Sequence, residues 1–273
     1  MMKCLRERMR GERMNKKVII CEDSFDGILS GVYDAWVHMN EDKGDNIILS
    51  CAGNYNMELF MEYIYVEKNM ENAIKVAKSI RKKISSLAYK NVYMTAISSK
   101  ECKADLIFRF LKYGYKIGRS VTECLAIPEV SDMMKIVVRV GKEYDHFRGF
   151  LRFYDRGDGW LQADIEPEND IIELLGQHFG DRLPNENFII KDIKRNKTAI
   201  HKKNMDYCIF NDITLENVED RIAVKGSEEY YQNMWKVFFE TIAIESRTNE
   251  KLQKTNVPLR YRKYMTEFDK INS

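Results

Sequence analysis

The chain has little of what marks a membrane, fibrous or secreted protein. Among its 273 residues are only four prolines, and no apolar run approaches the roughly 18 residues that a membrane span needs. Its composition, 44% hydrophobic and 32% charged, is typical of a globular chain rather than a disordered one. The N-terminus lacks the apolar segment of a signal peptide. We therefore expect a cytoplasmic protein with one large domain or two ordinary ones and no membrane contact.

The sequence also lacks the motifs of common cofactor and metal sites. Its six cysteines are scattered and form no CxxC pair, whereas a disulfide framework needs a small secreted chain. Nucleotide-binding glycine loops, an HExxH motif and a GxSxG motif are all missing. We expect reduced cysteines packed as small hydrophobic residues, no metal site and no cofactor in this chain.

Charge is nearly balanced, at +2 overall, but residues 1–13 hold five basic groups against two acids. This arm is either a nucleic-acid-binding tail or sequence read through from upstream of Met14, where an ordinary start follows. We favour the second interpretation, and expect residues 1–16 to be a disordered basic extension.

Periodicity predicts an α+β fold with a mainly antiparallel sheet, flanking helices and a small helical layer. In an N-terminal α/β segment, 17–125, strands are predicted at 18–21 and 47–51, a strand or helical turn at 59–66, and helices at 69–90 and 100–115. A C-terminal α+β domain, 126–273, follows or is continuous with it. Its predicted helices are 128–144, 171–179 and 227–245, and its predicted strands are 147–153, 160–165, 188–193, 198–201 and 207–210. The sequence Arg156-Gly-Asp-Gly predicts a hairpin turn.

The stretch from His146 to Arg182 is the densest in titratable groups. Strand alternation would place His146, Arg148 and Arg152 on one face, across a hairpin from Asp164 and Glu166. One interpretation is ordinary cross-strand ion pairing. The other is a charged pocket, in which His146 and Glu166 exchange protons beside Arg148. The remaining candidates for this pocket are Asp170, His178 and Arg182.

The acidic corner, residues 166–170, has the sequence Glu-Pro-Glu-Asn-Asp. Its acids could offer oxygen ligands to Mg²⁺, but no second acidic group stands out elsewhere in the sequence. We favour capping of the following helix by Asn169 or Asp170.

Two basic patches suit phosphate contacts. Residues 191–203 hold six basic groups against Asp192, and 247–263 hold six against Glu250, with Tyr261 and Tyr264 interleaved. The alternative is an ordinary charged surface. The predicted nucleic-acid-binding residues are Lys194, Arg195, Lys197, Arg247, Lys251, Arg260, Tyr261, Arg262 and Lys263.

Five segments together resemble a bacterial family named "probable DNA metabolism protein". They are SFDGILSGVY from Ser24, HFRGFLRF from His146, DIEPENDIIELL from Asp164, HFGDRLP from His178 and WKVFFETIAIESRTN from Trp235. The resemblance covers most of residues 17–265 and is weakest between 45 and 125. The family pattern has histidine where this chain has Asn169.

The resemblance implies a DNA-related role. In this family the C-terminal part is a domain of unknown function, in some proteins fused to a uracil-DNA-glycosylase-like domain. A radical-SAM protein assigned to DNA repair usually accompanies it, and that partner alone would carry the iron–sulfur cluster and S-adenosylmethionine.

Three functions remain open. The leading hypothesis is a DNA-repair accessory protein that binds DNA, the radical-SAM partner or both through the basic patches. The first alternative is a nucleic-acid-processing hydrolase or glycosylase-like enzyme that uses His146 and Glu166, with Arg148 and Arg182 stabilising negative charge. The second is a protein-interaction scaffold without DNA contact, which is favoured if the two patches lie on opposite sides.

Overall fold

The computed structural model describes residues 16–42, 46–53, 59, 61–211, 255 and 257–265. Within it the chain divides into two compact units, Met1–Arg139 and Val140–Ser273. Residues 1–15 of the predicted basic extension, the helix predicted at 227–245, the segment that begins at Trp235, and Arg247 and Lys251 lie outside the described residues. Lys16, the last residue of the predicted extension, is instead the first residue of a strand.

The first unit contains a parallel sheet of three strands in the order β2-β1-β3. The strands are β1 (Lys16–Cys21), β2 (Ile47–Cys51) and β3 (Met61–Tyr65). The helices are α1 (Phe25–Asp42), α2 (Met70–Lys83), α3 (Ser86–Ala96) and α4 (Lys103–Ile117), followed by a 3₁₀ helix at Gly118–Glu123. The central strand β1 carries the apolar sequence Val-Ile-Ile-Cys and is buried over those four residues, as a strand covered on both faces requires.

The helix predicted at 69–90 is two helices, because the helical conformation is interrupted at Ile84 and Ser85. Ile84 leaves the helical conformation, with φ −111° and ψ −89°. The hydroxyl of Ser85 then accepts the N–H of Ala88 at 3.0 Å and starts α3. A serine that can cap a new helix therefore outweighed the continuous helical periodicity.

The second unit contains a mixed sheet of five strands in sequence order. The strands are β4 (Tyr154–Asp155), β5 (Trp160–Ile165), β6 (Asn187–Asp192), β7 (Lys197–His201) and β8 (Tyr207–Asn211). The helices are α5 (Pro128–Phe150), which begins in the first unit, α6 (Ile172–Arg182) and α7 (Leu259–Arg262).

Strands β5 and β6 are parallel because α6 lies between them in the chain, while the other three neighbouring pairs are antiparallel. The α+β prediction is therefore confirmed, although the second sheet is not purely antiparallel and the first is wholly parallel. Within the described residues, no helix combines the length and apolarity needed to cross a membrane.

The strand predicted from 147 is wrong, because α5 continues to Phe150 rather than ending at Tyr144. Phe147 and Leu151 are buried one helical turn apart, and the N–H of Leu151 donates to the Phe147 carbonyl at 2.9 Å. His146 and Arg148 therefore lie about 200° apart around a helix instead of sharing a strand face.

The hairpin turn after this helix is as predicted. Tyr154 pairs with Gln162, and Asp155 with Leu161. Gly157 and Gly159 both take φ of +81°, a conformation that L side chains rarely adopt.

Candidate nucleic-acid interface

The acidic corner is held from within by Glu143, a buried residue of α5. One carboxylate oxygen accepts the N–H of Glu168 at 2.8 Å. The other accepts the backbone N–H and the side-chain amide of Asn169, at 2.9 and 2.5 Å. Glu143 and Asn169 are each only 3% exposed, so water has little access to these hydrogen bonds. The bonds therefore hold the corner firmly against α5.

The turn between β6 and β7 holds the corner from one side. Arg195 donates from its guanidinium to the carbonyls of Pro167 and Glu168 and to the Asp192 carboxylate at 2.9 Å. Asp192 is fully buried, and burial raises its pKa above the ordinary value although Arg195 opposes the shift. Lys197, from the same hairpin, pairs with Asp170.

The short helix α7 and the residues after it hold the corner from another side. A guanidinium nitrogen of Arg260 lies 3.6 Å from the Glu168 carboxylate. Lys263 and the Tyr264 hydroxyl both donate to Glu166. These hydrogen bonds, that from Lys263 first, hold the pKa of Glu166 below its ordinary value.

Cations from both predicted basic patches thus meet at the acidic corner. We call Arg195, Lys197, Arg260 and Lys263 the cation rim. Lys194 is exposed on the same turn as Arg195. Arg262 is not part of the rim, because it is 8% exposed and its Nε donates to the Val257 carbonyl at 3.0 Å.

The predicted capping role of the corner is wrong. Helix α6 begins at Ile172 with Ile171 in the capping position, where no side-chain capping bond forms. The carboxylate of Asp170 instead pairs with Lys197, and the Asn169 amide donates to Glu143. Glu143 instead holds Glu168 and Asn169, and Asn169 lies three residues before Ile172, the first residue of the helix.

His146 contacts aromatic residues rather than Glu166. Its Nδ1 lies 3.2 Å from the Tyr261 hydroxyl, which also accepts a hydrogen bond from Arg260 at 2.8 Å. The imidazole ring stacks on the ring of Phe150, with 5.6 Å between the ring centres. The side chain of Tyr261 is buried, with 5% of its surface exposed. Tyr261 is therefore an anchor for α7 rather than an exposed stacking surface.

Arg148 and His178 lie together in a second neighbourhood, between α5 and α6. Arg148 pairs with Asp145 at 3.2 Å and lies 5.4 Å from the centre of the Tyr144 ring, which meets His178 edge-on. Burial, then Arg148 and Arg182, lower the pKa of His178.

The predicted catalytic cluster is therefore split between two neighbourhoods. A shallow pocket beside the corner brings Glu166, Arg260 and Tyr261 together with other residues. Its lining consists of Phe147, Phe150, Leu151, Arg152, Asp164, Ile165, Glu166, Arg260, Tyr261 and Tyr264. His146, Arg148 and His178 are not part of this lining. The arrangement can hold charge on a surface, but it does not aim an acid and a base at one point.

Glu143 is the residue that the sequence interpretation missed. Its signal is positional: Met133, Val140 and Phe147 are buried at helical spacing, and Glu143 occupies a place on the same stripe. A charged residue on a buried stripe indicates a specific polar partner.

Among the described residues, no group of three or more histidine, cysteine or acidic side chains could hold a metal ion. A family model, "Domain of unknown function (DUF4130)", matches residues 101–267, a range that contains the acidic corner and the cation rim. A search of curated proteins found no match.

Proposed function

The chain belongs to the DUF4130 family, a domain of unknown function, and we propose that it is a DNA-binding accessory protein of DNA metabolism whose contact surface is the cation rim. The observation that supports this is the convergence of the two basic patches. Arg195 from the hairpin and Arg260 from α7 both contact Glu168. Opposite faces would have favoured a scaffold without DNA contact.

The rim cations are paired, but three of the four pairs are exchangeable. Exposed fractions of the side chains are 56% and 43% for Arg260 and Glu168, and 56% and 37% for Lys263 and Glu166. Such solvent-exposed pairs contribute little to stability, so a phosphate can replace the carboxylate at small cost. Lys197 is also partly exposed, whereas Arg195 is fixed by buried Asp192.

The corner carboxylates then serve as internal anions that hold the cations in position until DNA arrives. This role differs from catalysis, because Glu166 is occupied by Lys263 and Tyr264 and has no contact with His146. The two hypotheses predict opposite effects for Glu166→Gln. A binder should hold DNA more tightly when the competing charge is removed, whereas an enzyme should lose turnover.

The test is fluorescence anisotropy with a labelled duplex oligonucleotide between 50 and 200 mM salt. Because each phosphate contact contributes about 0.9 to the slope of log K against log salt, Arg260→Gln with Lys263→Gln should flatten the slope by roughly 2. The matched control is Lys202→Gln with Lys203→Gln, which removes the same charge from exposed residues beyond the opposite end of β7. A flat slope for the native chain, or no binding at 50 mM salt, would overturn the proposal.

The resemblance to DNA metabolism proteins extends the proposal to a partner of the radical-SAM class, which would supply the iron–sulfur cluster and S-adenosylmethionine. Co-expression and affinity capture of this chain with such a partner tests the extension. Capture that survives the Arg260→Gln, Lys263→Gln variant would place the partner contact outside the rim, and no capture would remove the partner from the proposal.

A further inference from the structure

The first unit carries a cationic surface in which most cations lack a carboxylate partner among the described residues, the exception being Lys75, which pairs with Glu71 at 2.7 Å. Residues 72–100 contain seven basic groups and no acid, although the whole chain holds 42 acids against 44 bases. Most of these groups lie on α2 or beside it, outside the range matched by the family model. The rim argument therefore does not account for them.

Packing brings cations from two helices to one place. Lys83, at the end of α2, lies 5.9 Å from the centre of the Tyr115 ring on α4. Gly114 on α4 allows this approach, because a Cβ there would lie 2.6 Å from Ile84 Cδ1. Lys116, the residue after Tyr115, is exposed. The C-terminal ends of α2 and α4 thus share one surface.

We call Lys78, Lys82, Lys83 and Lys116 the α2–α4 cation face. All four are exposed, and none of them has a carboxylate partner among the residues that the structure describes. Nearby, Arg81 lies 3.8 Å from the centre of the Tyr89 ring, which fixes the last turn of α2 against α3.

Helix dipoles explain only part of this surface. The last turn of α2 holds Arg81, Lys82 and Lys83, and cations at that position stabilise a helix. The C-terminal dipole amounts to about −0.5 charge, however, so several unpaired cations leave a clear positive excess. Lys78 lies one turn earlier and gains little from it.

We propose that the α2–α4 cation face is a second nucleic-acid contact surface, which binds the phosphodiester backbone without reading bases. Lys78 and Lys82 are one helical turn apart, roughly 6 Å along the axis, a repeat that suits a polymer with regularly spaced negative charge. An anionic membrane is a poorer fit, because α2 buries Ala73, Val76 and Ile80 in the core. It exposes two large apolar side chains, Met70 and Ile74, a smaller apolar face than an interfacial helix inserts.

The test compares two triple variants of the full-length chain. The face variant is Lys78→Gln, Lys82→Gln, Lys116→Gln, which leaves Arg81 and Lys83 on their aromatic rings. The control is Lys135→Gln, Lys142→Gln, Lys202→Gln, with the same charge change at exposed positions elsewhere. Binding to labelled single-stranded and duplex oligonucleotides is measured by anisotropy against salt.

The face variant should lose about tenfold or more in affinity at 0.1 M salt, with a slope smaller by roughly 2–3, and the control should stay within about twofold of native. Thermal unfolding of both variants shows whether the fold is intact. Affinity and slope equal to native in the face variant would overturn the inference, as would equal losses in both variants. The inference would also be overturned if the native chain bound anionic vesicles while the face variant bound both oligonucleotides as tightly as the native chain does.

The rim variant measured in parallel separates the two proposals. Loss in the rim variant alone would leave the proposed function standing and remove the α2–α4 cation face. Loss of affinity in the face variant alone would leave the α2–α4 cation face standing and overturn the proposed function of the rim.

Discussion

The acidic corner should lose its shape when Glu143 is shortened to alanine. Three hydrogen bonds to the buried carboxylate disappear, two from backbone N–H groups and one from the Asn169 amide. Each buried donor left without a partner costs about 1–3 kcal/mol, and water can reach the Glu168 N–H more easily than the buried Asn169 groups. We expect Glu143→Ala to lower the free energy of unfolding by about 2–4 kcal/mol.

This loss can be measured by urea unfolding followed by circular dichroism. With a slope of roughly 2 kcal/mol per molar urea, the midpoint for the second unit should fall by about 1–2 M. Hydrogen exchange of peptides spanning 165–171, read by mass spectrometry, should accelerate at the corner. Glu143→Gln should lower the stability less, because one oxygen remains to accept hydrogen bonds. It should still have an effect, because its NH₂ group cannot accept the Glu168 N–H.

The matched control is Asp145→Ala on the same helix. Asp145 is exposed and makes only a surface pair with Arg148, so its removal should change the stability by less than about 0.5 kcal/mol. If Glu143→Ala were as stable as this control, with unchanged exchange at the corner, the argument that a buried carboxylate holds the corner would be refuted.

Two further predictions concern titration and reactivity. An NMR titration of His178 should give a midpoint below 6.5 that rises in Arg148→Gln, and a midpoint of 6.5 or more would contradict this prediction. Because the folded state binds this proton less well than the unfolded state, the stability contributed by the neutral ring is complete above pH 6.5 and declines as the pH falls below that value. A thiol reagent should label exposed Cys102 in the native protein but not buried Cys21 or Cys51. A hydrogen bond between the Cys21 and Cys51 thiols, and then burial, raise the pKa of Cys21. Peptide mapping that finds Cys21 labelled as fast as Cys102 would contradict this prediction.

Much of the fold was predictable because its signals are local. The apolar run of β1 and the glycines of the hairpin turn each specify their own backbone conformation. The end of α5 was not, because Phe147, Phe150 and Leu151 fit either a strand or a helix. The helix buries Phe147 and packs both phenylalanines against Tyr261, a residue far later in the chain that local periodicity does not reveal.

The site shows the same limit. Composition identified both basic patches, but the partners of their cations depend on contacts between residues as far apart as Glu166 and Lys263. A count of charges cannot distinguish a paired cation from a free one. The run at 72–100 is different, since it contains no acid and the nearest one before it, Glu71, pairs with Lys75 alone among the described cations of α2.

A single turn of α5 fixes the dimensions of the rim. Glu143 binds the corner to which Arg195 is attached, and Phe147, four residues later, packs at 5.1 Å against Tyr261 beside Arg260. The helix therefore acts as a ruler of about 6 Å between the two halves of the rim. A one-residue insertion in that turn would rotate Phe147 by about 100° relative to Glu143 and put the halves out of register. The length of this turn therefore sets the register in which cations from the two patches can act together.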